Sequence, residues 1–149
     1  MKHFLIFAFA VLAISAEAQQ VEYKVITSIE SIIPAGIGRS RIISENDSLS
    51  YEDFTTERTD GKKSDQGKIK RKDAKIDNFE ETKLLNFFSV TGINFQNIAS
   101  NDALISDKIN SMTANGWELA FVVSGVESDS GKDDGQGIFI TRYIFKRTR

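Results

Sequence analysis

The chain has 149 residues, 40% of them hydrophobic, and a formal net charge of −2. That balance supplies no long-range attraction to nucleic acid or to an anionic membrane. Cysteine is absent and the one histidine, His3, lies in a segment expected to be removed, which excludes disulfides, Cys/His zinc sites and Ser-His-Asp or Cys-His nucleophiles from the mature protein.

Residues 1–18 read as a secretory signal peptide. Lys2 supplies the positive end, residues 4–14 are unbroken apolar sequence, and Ala16-Glu17-Ala18 forms the small-x-small cleavage pattern. Cleavage between Ala18 and Gln19 is therefore expected. The apolar run is too short for a bilayer core, which takes about 20 residues. It has no polar face, so it does not read as a buried helix. No cysteine follows it to carry a lipid, and no later segment is apolar enough to anchor the chain. Residues 19–149 are expected to form one soluble domain, with a net charge still of −2 because Lys2 and Glu17 leave together.

Residues 21–33 alternate apolar Val21, Tyr23 and Val25 with Glu22 and Lys24, the pattern of a half-buried strand. The Pro34-Ala35-Gly36-Ile37-Gly38 turn leads to a second strand over residues 39–44, completing a hairpin. Residues 57–73 are the least structured stretch, with turn signals at Asp60-Gly61 and Gln66-Gly67. Asp77 with Glu80 has the form of a capping box, which predicts a helix from 77 to about 90, although residues 84–90 read equally as a strand. A strand over 93–98 is expected next.

A clearer helix follows, capped among Ser100 to Asp102 and striped by Leu104, Ile105, Ile109 and Met112; Asn115-Gly116 ends it. Residues 117–123 are then a strand with Trp117, Leu119, Phe121 and Val123 on one face, and Glu118 pointing away from the core. Helix-Gly-strand thus occurs twice at an offset of 24, a spacing that chance explains better than duplication. A Ser/Asp/Gly-rich loop over 127–137 leads to a last strand, 138–146, with Phe139, Tyr143 and Phe145 on one face. The expected fold is α+β: a small antiparallel sheet with one or two helices packed on one face.

Three strings stand out together: Tyr23-Lys24-Val25-Ile26, Asn115-Gly116-Trp117-Glu118-Leu119 and Tyr143-Ile144-Phe145-Lys146-Arg147. The trio resembles a family of small bacterial domains of unknown function, whose pattern is a YKVV strand, a helix, GWEL and a final FKR strand. It covers about half of the mature chain, residues 34–98 exceeding the short family core. The chain is also similar to a longer exported form found in Bacteroidetes, through Gly38-Arg39-Ser40-Arg41 and Ile93-Asn94-Phe95-Gln96-Asn97-Ile98. The resemblance implies a fold and carries no catalytic residues.

Gly36-Ile37-Gly38-Arg39-Ser40-Arg41 offers glycine amides and guanidiniums to an anion, but a phosphate loop needs a helix after it; a hairpin turn with solvated arginines fits better. The basic run from Lys62 to Lys75 has no interleaved aromatic and is interrupted by Asp65 and Asp73, so it reads as a solvated face and not as a nucleic-acid surface. Asp129, Asp133 and Asp134, beside Glu127, are the nearest approach to a metal site. Counting from Asp129, the EF-hand order fails, with Asp134 where the invariant glycine belongs. No cofactor is expected.

With only carboxylates, hydroxyls, lysines and arginines available, an enzyme is disfavoured. The reading from sequence is a non-catalytic exported domain, periplasmic or secreted, that binds a partner such as an envelope protein. The alternatives are a hydrolase using carboxylates alone and a structural envelope component.

Overall fold

The computed structural model describes residues 19–32, 39–127 and 137–149. Residues 1–18, read above as a signal peptide, the expected turn after residue 33 and the acidic residues Asp129, Asp133 and Asp134 lie outside them. The alternating segments become strands: β1 (Val21–Ser31), β2 (Arg41–Glu45), β3 (Phe79–Lys83), β6 (Glu118–Glu127) and β7 (Ile138–Thr148). They form one antiparallel sheet in the order β3-β2-β1-β7-β6. β1 and β7 pair along their whole length, from Val21 opposite Thr148 to Ser31 opposite Ile138. The chain's two ends thus build the centre of the sheet.

A single α-helix among the described residues, α1 (Phe95–Ala114), packs on one face. The core beneath it is Ile26, Ile42, Leu84, Met112 and Phe145, flanked by Ile105, Ile109, Trp117, Leu119 and Tyr143. The domain is therefore mostly antiparallel β structure with one packed helix. No helix among the described residues is long and apolar enough to cross a membrane.

Several expectations fail here, each for a local reason. Residues 77–90 are not helical. Residues 79–83 are taken by pairing with β2, from Arg41 opposite Lys83 to Glu45 opposite Phe79, and tertiary pairing overrides a weak capping signal. After β3 comes a minimal hairpin, β4 (Phe88–Ser89) and β5 (Gly92–Ile93), with Gly92 at φ +114°, a backbone angle natural to glycine. Of the strand expected over 93–98, only Ile93 is in a strand, at the end of β5, and residues 95–98 are the first turn of α1. Its cap is Asn94, whose side chain accepts from the backbone N–H of Asn97, not a residue among Ser100 to Asp102. Phe95 is helical where Leu119 is in a strand, which removes the resemblance between the two units.

The helix's buried stripe also differs from the apolar one. Leu104 faces outward, and Asn101, 0% exposed, occupies a core-facing position. Its amide donates to the Leu85 carbonyl (2.8 Å) and Glu30 (3.0 Å), and its carbonyl accepts from the Leu85 N–H (2.8 Å). A polar side chain is stable in that place because its hydrogen-bonding groups find partners. The end of α1 is as expected: the Asn115, Gly116 and Trp117 N–H groups bond back into the last turn, and Gly116 adopts φ +81°.

The excursion between β2 and β3 is closed at its neck by the Asn46 N–H on the Asn78 carbonyl (3.2 Å). It holds two single-turn 3₁₀ segments, Tyr51–Phe54 and Asp65–Lys68. The Asp60-Gly61 turn forms without flanking strands. There the Lys62 and Lys63 N–H groups donate to the Asp60 carboxylate and hold it below its usual range.

Candidate functional site

Trp117 follows the helix terminus, Arg147 lies near the end of β7 and Glu22 near the start of β1, so antiparallel pairing brings all three to one end of the sheet. Glu22 stands opposite Arg147, and its carboxylate accepts from Arg147 (2.7 Å) and in bidentate fashion from Arg149 (2.8 and 2.8 Å). These hydrogen bonds, Arg147's first, hold the Glu22 carboxyl below its usual range. The Arg147 guanidinium lies 4.3 Å from the centroid of the Trp117 ring, a cation–π stack. On the opposite face Glu118 pairs with Lys146 at 3.2 Å.

The three strings of the resemblance therefore meet in one place and largely satisfy one another. Trp117 packs on the core, Arg147 covers it and Glu22 holds Arg147. The shallow cleft beside them is lined by Lys24, Glu45, Asn46, Asp47 and Ile76 among others. Lys24 already donates to the Glu45 carbonyl at 3.3 Å. This end of the sheet is built as a clasp, in which Glu22, Arg147 and Arg149 are engaged with one another.

The other predicted residues are dispersed. Ser40 is buried and accepts from the Ser31 N–H at 3.0 Å. Arg41 pairs with Glu81 at 2.6 Å, which ties β2 to β3 and does not form an anion cradle with Arg39. The basic run stays on the excursion, where Lys68 pairs with Asp65. Glu127 closes β6, exposed. No group of three or more metal-ligating side chains is found among the described residues. The void inside the core, lined by Ile26, Ile42, Ile105 and Phe145 among others, measures about 10 Å³, which has no room for a substrate.

A different surface emerges on the sheet face away from α1. Sheet register sets its side chains in rows: Phe121, Ile144 and Val25; Val123, Arg142, Thr27 and Ile43; Gly125, Ile140 and Ile29. Phe121 and Val123 belong to this face because the β6–β7 register shifts between Leu119 and Phe121, a bulge that reverses the alternation. Expected in the core with Trp117 and Leu119, they are instead 62% and 58% exposed, and Tyr23 beside them is 61% exposed. The side chain of Arg142, exposed in the middle row, makes no hydrogen bond or ion pair among the described residues. Period-2 reading cannot find this face, since a bulge is visible only once its partner strand is known.

Neither a protein-family model, nor a curated protein, nor a solved structure matches the chain.

Proposed function

We propose that this chain is an exported, non-catalytic interaction domain that docks a protein partner on the sheet face opposite α1. The observation that carries the reading is the apolar band of exposed Phe121, half-buried Ile144 and exposed Val25, with exposed Tyr23 and Val123 at its margins and the Arg142 side chain in the next row. Contiguous apolar surface rimmed by charge is what protein interfaces present, and aromatic and arginine side chains dominate their energetics. Export rests on the Lys2, apolar run and Ala16-Glu17-Ala18 pattern. The closed core and the engaged ionic groups at the clasp favour binding over a hydrolase that uses carboxylates alone.

The test is affinity capture of cell-envelope proteins on the immobilised mature chain, beside a Tyr23→Ser/Phe121→Ser variant and a Leu104→Ser variant on the outer side of α1. A partner retained by wild type and by Leu104→Ser, and lost from the double variant, is the expected result. Equal retention by all three would place the binding surface elsewhere.

A further inference from the structure

The two edges of the sheet are built differently. β3 is five residues long and carries Glu80, Glu81 and Lys83, a short, charged edge of the kind that resists pairing with another strand. β6 is ten residues long, with acids only at its ends, Glu118 and Glu127. The stretch between them is uncharged and free of proline. Val122 and Val126, on the helix side of β6, are 53% and 58% exposed, like Phe121 and Val123 on the other. Among the described residues β7 is the strand paired with β6, and its outer side is unoccupied. A long apolar edge without a guarding charge is a template for a further strand.

We propose that the outer edge of β6 pairs antiparallel with β6 of a second copy of this chain, about a two-fold axis through Val123. The strand is self-complementary in that register. Phe121 comes opposite Gly125 of the other copy, where a side chain would meet nothing within 4 Å, so each ring fills the one position that lacks a side chain. Val122 comes opposite Ser124, and no charged residues oppose each other between Phe121 and Gly125. The bulge after Leu119 limits regular pairing to that stretch. Beyond it Glu118 approaches Glu127 of the other copy, and Lys146 at 3.2 Å already neutralises Glu118. The charges on β3 close the opposite edge, so association stops at a symmetric pair instead of growing into a fibre.

This dimer does not require the docking surface proposed above, although it would place two such faces side by side on one continuous sheet. The substitutions that test it therefore fall on the helix side of β6 and leave that surface intact. Sedimentation velocity of the processed protein, expressed from the full sequence, is run from about 1 μM to about 1 mM, the range that separates stable from weak association. A monomer–dimer equilibrium is expected for wild type. Val122→Lys/Ser124→Lys sets like charges across the axis and is expected to weaken the dimer roughly tenfold. Val122→Lys/Ser124→Glu sets opposite charges there and is expected to keep it. Phe79→Lys on β3 is expected to leave the equilibrium unchanged. Circular dichroism of each variant checks folding. A wild type that stays monomeric at the highest concentration overturns the proposal. So does a doubly lysine-substituted variant that dimerises like wild type, loss of the dimer in both charge variants alike, or its loss in Phe79→Lys.

Discussion

On the face of the sheet beneath α1, Phe145 is 0% exposed, whereas on the other face Phe121, one strand away, is 62% exposed. The contrast extends along both faces: Ile26 and Ile42 are buried, and Tyr23 and Val25 remain open to solvent. Residue type does not separate the two groups. Lying directly beneath α1 does, since Val122 and Val126, on the helix side but out on edge strand β6, are exposed as well. Among the described residues the apolar side chains of the open face are only partly covered, Tyr23, Phe121 and Val123 least of all, so free energy from covering them further is still available.

Substitution at equivalent residues sharpens the contrast most directly. Phe145→Ala should destabilise the fold by about 3–5 kcal/mol, the range for emptying a buried phenylalanine site. Phe121→Ala should change stability by only about 0.5 kcal/mol, as at an ordinary exposed position. Chemical denaturation of the two variants side by side measures both values. If Phe121→Ala costs as much as Phe145→Ala, the open face is covered and the comparison collapses.

A smaller effect is expected where the helix-covered face is polar. Asn101→Leu keeps the branched side-chain shape while stripping the partners from both the N–H and the carbonyl of Leu85. Unsatisfied groups of that kind cost about 1–3 kcal/mol. A leucine there that raised the denaturation midpoint would show that the site wants only apolar packing.

The smallest effect belongs to the clasp at the rim of that face. Because Arg147 and Arg149 hold the Glu22 carboxyl below its usual range, its contribution is present above the ordinary glutamate value of about 4.3 and is lost as pH falls through the folded value. Glu22→Gln should therefore melt below wild type at neutral pH, and the gap should close on acidification. A gap that does not vary with pH would mean that the carboxylate's charge contributes nothing.

Part of the scaffold was legible beforehand. The alternation of Val21, Tyr23 and Val25 gives β1 as a strand, although those three end on the open face while Ile26 is buried, and Asn115-Gly116 marks the end of α1, because these signals are local. The helix start was not, since Asn94 lies within a run that also fits a strand, and its cap forms with Asn97 only once the turn exists. The charged β3 was hidden because its pairing with β2 spans the whole excursion. For the site, the sequence supplied the strings containing Glu22, Trp117 and Arg147 but not their convergence, which depends on β1 lying against β7. The part of the open face on β6 was illegible for one physical reason. A single extra residue near Ala120 turns Phe121 and Val123 over, and nothing in the apolar run 119–123 marks where it falls.

The neck between Asn46 and Asn78 carries a meaning for how such a chain can change over time. Glu45 and Phe79 are already hairpin partners, so residues 47–77 leave and re-enter the sheet at adjacent points. The entropy of closing a loop grows only logarithmically with its length, each doubling adding about 0.6 kcal/mol. Segments there can lengthen, shorten or be exchanged with little penalty to the strands on either side. The excursion is a port in the domain, a place where new sequence can be acquired while the register of all five strands is left as it stands.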